Sequence, residues 1–415
     1  MSVPLTTTSP SAAAAPGGST APEHSQLMSK QHSDGGWGLV PVQSRAERFA
    51  SYDIADFEPV TGFEVEWKYT PITTIAALLD GELDGGHYDH GSTVSDGGSI
   101  EWVARPDARI GRSGKPEERG SANAWSSFDD ALVVTVAGEE PVEATIIRAA
   151  LGSAPRAAHT VIDAKPNSRG VVVIHNTGAV QLSENVEISV GDGAKLTVVT
   201  VQEWDDDGIH LASHFTRLGR DAHLKHVVVS LRGHVVRVNT SAHLVGEGSD
   251  VELYGVYFAD AGQHLEQQVF VNHDAPHTKS RVSYRGALQG DGARTVWIGD
   301  VLIRPTAAGT DSYEENRNLL LTNGTRADSV PNLEIETGDI IGAGHASASG
   351  RFDDEQLFYL EARGIPAEEA RRLVVRGFLS DIVQKIGVPD LEERLQAAIE
   401  SELRVSEIAT GVAAS

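Results

Sequence analysis

Between about residues 158 and 350 the chain reads as short β-branched runs, at 171–174, 196–201, 227–231, 235–238, 251–258 and 295–303, punctuated by Gly, Asp and Asn. Runs of this length and composition, bounded by turn residues, predict strands. No amphipathic helical stretch of ordinary length falls between them, which argues against a doubly wound βαβ sheet. Aligning the turns exposes a repeat. Gly191-Asp-Gly-Ala-Lys-Leu196 matches Gly219-Arg-Asp-Ala-His-Leu224 and Gly246-Glu-Gly-Ser-Asp-Val251, with a weaker copy at Asn272-His-Asp-Ala-Pro-His277 and another at Gly290-Asp-Gly-Ala-Arg-Thr295. The first four start 28, 27 and 26 residues apart. Each holds a turn residue, a polar pair, a small residue and then a strand. One such turn per repeat, at a period in the twenties, predicts a parallel β-solenoid whose coils stack and whose small Ala or Ser sits at the tight bend. An antiparallel sandwich would instead show turn signals about every 8–12 residues.

Helical periodicity takes over after residue 350. Asp353 and Asp354 are candidate caps for a helix through Arg363, which Gly364 stops. Pro366 opens a second helix, with Leu373, Val374, Phe378, Leu379, Ile382, Val383 and Ile386 on its apolar face and Gly387 and Pro389 at its end. Adjacent pairs such as Phe378 and Leu379, or Ile382 and Val383, point about 100 degrees apart, so this apolar arc is wide enough to touch two surfaces. Asp390 caps a third helix to about Arg404, with Leu391, Leu395, Ile399 and Leu403 four residues apart. At the other end, 19 of the first 22 residues are Ser, Thr, Ala, Pro or Gly, which predicts a disordered tail. Order is expected to begin at Ser44-Arg-Ala-Glu-Arg-Phe49. The expected division is a tail over 1–43, a mixed α/β region over 44–157 in which 80–98 is loop, a β-solenoid over 158–350, a helical region over 351–408 and a short tail over 409–415. The fold class is mainly β.

Composition then narrows the chemistry. The 415 residues include no Cys, which excludes disulfides, thiol catalysis, Cys-based zinc sites and any cluster held by this chain's own thiolates. A formal charge of −25, from 34 basic and 59 acidic side chains, opposes general binding to nucleic acid. No apolar run approaches the roughly 18 residues of a membrane helix. The first Lys or Arg is Lys30 and no apolar stretch follows Met1, so a cytoplasmic protein without a secretory leader is expected.

Candidate chemistry is sparse. Gly111-Arg-Ser-Gly-Lys-Pro116 lacks the first Gly and the hydroxyl residue of a phosphate loop, with Arg109 and Pro116 in those places, and reads as ordinary loop. His87-Tyr-Asp-His90 has ligand-like spacing in a Gly-rich loop. His210 and His214 follow Asp205, Asp206 and Asp207 and are read with them as a solvated acidic turn; Glu184 and Glu187 are read as solvated strand positions. Arg371, Arg372 and Arg376 form a basic patch, either balanced by Glu368 and Glu369 or used for docking. Parallel β-solenoids include polysaccharide lyases and hydrolases, which need carboxylates clustered on one exposed strand face. Here the acids scatter into turns, and a glycan enzyme is the alternative reading.

An ordered series of motifs decides between these readings: Asn316-Arg-Asn-Leu-Leu-Leu321, Pro331-Asn-Leu-Glu-Ile335, Gly344-His-Ala-Ser347 and Leu357-Phe-Tyr-Leu-Glu-Ala-Arg-Gly-Ile365. Upstream stand Glu66-Trp-Lys-Tyr-Thr-Pro71, Gln263-His264, Val271-Asn-His273 and Ser283-Tyr-Arg-Gly286. Together they resemble the SufB/SufD family of iron–sulfur cluster assembly scaffolds over about residues 44–404. The resemblance implies a right-handed parallel β-helix with helical flanking regions. Lacking cysteine, the chain is most similar to the SufD type, since the B-type member supplies the thiolate associated with nascent clusters. D-type members often carry a Cys two residues before the His of the Gly-His-Ala-Ser-like motif; Ala343 stands there, which leaves His345 as the matched candidate metal ligand, shared with a partner subunit. The resemblance further implies a non-catalytic subunit that pairs with a SufB-like paralogue through the β-helix and docks a SufC-like ABC-type ATPase. No cofactor is expected to be held by this chain alone, with a transient iron–sulfur cluster or iron at the SufB interface. The ATPase is expected on the helical region, at Phe358, Arg363, Arg372, Arg376, Phe378, Leu379, Ile382 and Val383.

Overall fold

The computed structural model describes residues 49–149, 151–351 and 354–409. The expected tail over 1–43, the helical turn before Phe49 and the last six residues lie outside the described residues. A short 3-10 turn (Ile54–Asp56), helix α1 (Ile72–Asp80) and strands β1 (Gly91–Val94) and β2 (Gly98–Ala104) lead in, followed by helix α2 (Arg119–Ser127). Among the described residues eight coils follow, each giving one strand to each of two sheets. The first four are β3 (Asp130–Val136) with β4 (Pro141–Ala149), β5 (Gly152–Ala164) with β6 (Arg169–Gly178), β7 (Val180–Val190) with β8 (Lys195–Trp204), and β9 (Ile209–Leu218) with β10 (His223–Arg232). The last four are β11 (Val235–Leu244) with β12 (Asp250–Ala259), β13 (His264–His273) with β14 (Lys279–Leu288), β15 (Arg294–Ile303) with β16 (Thr310–Leu320), and β17 (Arg326–Ile335) with β18 (Ile340–Arg351). Helices α3 (Asp354–Glu361), α4 (Ala367–Val383) and α5 (Pro389–Ala409) end the chain.

Odd-numbered strands from β3 to β17 form one parallel sheet and even-numbered strands from β4 to β18 the other. β2 joins the first sheet and β1 the second, both antiparallel, and so cover the N-terminal edges. The parallel ladder therefore begins at Asp130, ahead of the 158 expected from β-branched runs, and part of the stretch expected to be loop is β1. Between the sheets lies a lumen filled by side chains such as Leu196, Leu224, Val251, Val238, Leu265 and Trp297.

Both outer faces are also covered, which is why the strands read as nearly continuous apolar runs rather than alternating ones. On the first sheet Trp67, Ile75, Leu78 and Leu79 pack against Ala157, Ile209, Leu211 and Val235. Arg237 ties that layer down, donating to Glu118 at 2.6 Å and Glu266 at 3.0 Å beneath the Trp67 ring. The loop at 111–116 lies on the same face: the Gly111 and Ser113 amides donate to Glu187 at 2.7 and 3.0 Å. On the second sheet Val375, Leu379, Ile382, Val383 and Ile386, with Leu391, Leu395, Ile399 and Leu403, cover Val199, Val201, Val227, Val229, Val256 and Phe258.

The turns that betrayed the repeat form a ladder. Leu196, Leu224 and Val251 are register partners, as aligned from sequence, but the next is Ser280, which puts the fourth copy at Ala275 rather than Asn272. The copy at Gly290 belongs to a different corner, since Thr295 pairs with Leu265 in the first sheet. One residue per turn is left-handed: Asn167 (φ 61°), Gly193 (69°), Asp221 (53°), Gly248 (72°), His277 (57°) and Gly309 (72°). Each donates its amide to the next turn, as from Asp221 to Glu247 at 2.9 Å and from Gly248 to Pro276 at 3.1 Å. Residues with and without side chains alternate along this ladder because each side chain lies over the next rung: a Cβ on Gly248 would fall 2.5 Å from Asp221 Oδ1. The small residue that follows, Ala194, Ala222 or Ser249, sits at the bend as expected and is buried there.

Burial overturns two readings. Glu184 and Glu187 are not solvated, and neither are His210 and His214, although Asp205, Asp206 and Asp207 are exposed as expected. In the lumen Arg148 donates to both Glu184 oxygens at 2.7 and 2.9 Å and to Asn176 at 2.7 Å. His210 Nε2 donates to Glu184 at 2.7 Å while its Nδ1 accepts from Trp204 at 3.2 Å, an indole being donor only. A strand position reads as exposed only if one assumes an open face, and here neither face is open.

Candidate functional site

The C-terminal end of the solenoid differs from the N-terminal end. β17 and β18 are edge strands, each paired on one side only, with no antiparallel strand over them among the described residues. Unpaired backbone donors and acceptors therefore line both lips of the lumen, the form of edge that invites strand addition. Beside them Ile341 is 77% exposed, and Ile335 and Tyr313 are exposed.

His345 lies on β18 at this mouth, its side chain 43% exposed. Its register places it in the lumen column that runs through Leu253, Val282 and Glu314. Ala343 lies two residues earlier and packs against the lumen core. Behind His345, lumen residues of the preceding coils turn polar. Tyr257 donates to Asn318 at 2.9 Å, Asn316 to the Tyr257 hydroxyl at 2.6 Å and Asn318 to Asn316 at 2.7 Å. Ser347 donates to Ser329 across the mouth at 2.8 Å. Glu314 is fully buried, and its Oε1 lies 3.8 Å from His345 Nδ1. Burial, with the nearby Asp300 carboxylate, pushes the Glu314 carboxyl up to about 8. Glu314 was not singled out from sequence, because between Tyr313 and Glu315 it reads as one more strand acid; only the lumen-facing register distinguishes it.

The residues expected to dock a partner divide. Leu379, Ile382 and Val383, expected in the docking set, are buried on the second sheet and against α5; the wide apolar arc meets two surfaces, and both belong to this chain. Phe378 is half-buried beneath Arg285, which donates to the Phe378 carbonyl at 2.9 Å and pairs with Asp381 at 2.6 Å. Phe358 is 71% exposed, and Tyr359 and Leu373 join it on the surface. Arg363 stacks over Tyr359, Arg372 pairs with Glu369, and Arg376 lies 3.8 Å from Glu400 of α5. His87 stacks on Trp102 and pairs with Asp130 at 2.8 Å. Among the described residues no three His, Asp or Glu side chains converge on a metal-sized site, His87 and His90 included.

A family model described as the SufBD core domain of SUF-system FeS cluster assembly matches residues 147–378, from the end of β4 into α4. The chain belongs to the SufBD family. An iron–sulfur cluster assembly SufBD family protein of Mycobacterium tuberculosis is 49% identical over 381 residues, covering 88% of this SufBD chain and 95% of the relative. One of Mycobacterium leprae is 49% identical over 375 residues, with the same coverage of 88% and 95%. A second SufBD family protein of M. tuberculosis is 29% identical over 201 residues, 48% of this chain and 24% of that protein. The SufBD core therefore begins in the lumen-forming coils, runs through the open mouth and includes His345.

Proposed function

We propose that this SufBD chain is a SufD-like, non-catalytic scaffold subunit that pairs with a SufB-like paralogue through the mouth of its solenoid and docks a SufC-like ATPase on its C-terminal helices. The observation that carries the reading is the asymmetry of the solenoid among the described residues: covered edges at one end, two edge strands paired on one side only, with exposed Ile341 and His345, at the other. A second SufBD protein in the same Mycobacterium species as a close relative supports a paralogue as the occupant of that edge. His345 then ligates iron or a nascent cluster, the cargo of the assembly, with the partner supplying a thiolate; imidazole and thiolate both suit iron. ATP hydrolysis belongs to the ATPase, whose contact falls on the part of the expected set that is exposed, Phe358, Arg363 and Arg376, with half-buried Arg372 and exposed Leu373 beside it. The glycan-enzyme alternative loses its chemical basis: Glu184 and Glu187 are enclosed and paired rather than clustered on an open strand face.

Co-expression with the candidate paralogue and ATPase, followed by mass measurement, tests the assembly. Ile341→Asp should abolish pairing with the paralogue while the isolated chain keeps its melting temperature, and Leu373→Asp should release the ATPase alone. Full assembly of both variants would overturn the assignment of the surfaces.

A further inference from the structure

Glu314 is a buried carboxyl at the open end, and neither of its oxygens has a hydrogen-bond partner among the described residues. Such a group costs folding free energy unless something outside the resting structure uses it. The fold makes room for it: a Cβ on Gly299, across the lumen, would fall 2.5 Å from Glu314 Oε2. Asn316 and Asn318 on the same strand are engaged with Tyr257 and with each other. What faces the carboxyl is His345, its register partner on β18, with Nδ1 the nearer ring nitrogen. Nε2 is then the nitrogen left for anything arriving at the mouth.

We propose that Glu314 is a positioning residue for His345: one of its carboxyl oxygens accepts the Nδ1–H, holding the tautomer whose Nε2 lone pair is presented to iron or cluster at the mouth. The proposal rests on the reading of His345 as a metal ligand. Free imidazole favours the proton on Nε2, the wrong tautomer for an Nε2 ligand, and carboxylates behind ligating histidines commonly reverse that preference. The resting separation of 3.8 Å is longer than a hydrogen bond. It closes with a small swing of the half-exposed ring, as such contacts tighten when a site is loaded.

The test compares Glu314→Leu, Glu314→Gln and His345→Ala in the full chain and in the complex co-purified with the paralogue and ATPase. Leu suits the site, since Leu253 and Val282 occupy the same lumen column. Nitrogen-15 NMR of labelled histidine in the full chain reads the tautomer, and Co²⁺ alone, followed by its absorption bands, reads metal affinity in the complex. Glu314→Leu should move His345 to the Nε2–H tautomer and weaken Co²⁺ binding roughly 10–100-fold, without lowering the melting temperature. Glu314→Gln, which keeps an acceptor oxygen, should fall between. If His345→Ala abolishes Co²⁺ binding while Glu314→Leu leaves tautomer and affinity unchanged, the positioning role is wrong and the ligand stands. If His345→Ala binds Co²⁺ as the native complex does, the ligand reading fails and the proposal with it.

Discussion

Arg148 and Glu184 show how much the lumen demands of single residues. Both are enclosed, yet burial alone would raise the Glu184 carboxyl; the Arg148 charge and the His210 hydrogen bond hold it well below the usual range. Removing one member of such a pair strands the other charge. Arg148→Met should therefore cost about 3–5 kcal/mol, read as a fall in urea midpoint, and Arg148→Met with Glu184→Leu should recover much of that loss. His214 and His226 make the opposite point. They face each other at 3.1 Å in the lumen, and desolvation lowers His214 to about 4 and His226 well below the ordinary histidine value. Below pH about 6.5 the unfolded chain binds protons that the folded chain refuses, so stability falls as the pH drops; the His214 part of the loss is complete near pH 4, while the His226 part continues below it. His214 alone contributes about 3 kcal/mol to that loss, and His273, lowered to about 3, adds in the same direction. Urea unfolding at pH 7 and pH 4.5 should show the loss, and His214→Gln should flatten it; an unchanged slope in that variant would refute the assignment.

The turn ladder makes the same kind of demand on whole elements. Gly248→Ala places a Cβ both in a left-handed backbone and against Asp221 Oδ1, and should cost more than the ~1–2 kcal/mol of the backbone conformation alone. Asp221→Gly removes the collision, so the double variant should be more stable than the sum of the singles by at least ~0.5 kcal/mol, measured by a thermal-unfolding cycle. These turns were also the most legible part of the sequence, because a left-handed residue followed by a buried small one leaves a narrow choice of side chains. Legibility failed where the coil lengthened: the connection before β13 spans 260–263 against 233–234 before β11, the turn before β14 puts its left-handed residue at His277, and a Gly-based alignment slid three residues toward Asn272. The C-terminal helices were legible as helices, and their apolar face was seen, but not what covered it. Val375, Leu379 and Ile382 carry the same spacing whether they meet a partner or the chain's own sheet. His345 was legible through its motif, whereas Glu314 needed the register, since Tyr313-Glu-Glu315 gives no sign of which acid faces inward.

At the scale of the molecule, the two helical layers hold the solenoid from opposite sides, and the C-terminal one closes over apolar strands that would otherwise be bare. Arg285 with Asp381, and Arg232 with Glu402 at 3.1 Å, fasten its ends. Truncation after residue 353 should expose Val199, Val227, Val229 and Phe258 and turn the chain into aggregates, seen by light scattering, rather than leave a folded core. A monomeric, cooperatively melting truncation would show that the layer is dispensable for folding. The ladder of turns also bears on ancestry. Because rungs that carry a side chain alternate with rungs that cannot, from Asn167 to Gly309, duplicating one coil would seat two side chains on adjacent rungs, or two glycines. Duplicating two coils together preserves the alternation. A coil whose rung carries a side chain should accordingly be gained or lost together with a glycine coil, so that for such coils the heritable unit is twice the structural repeat.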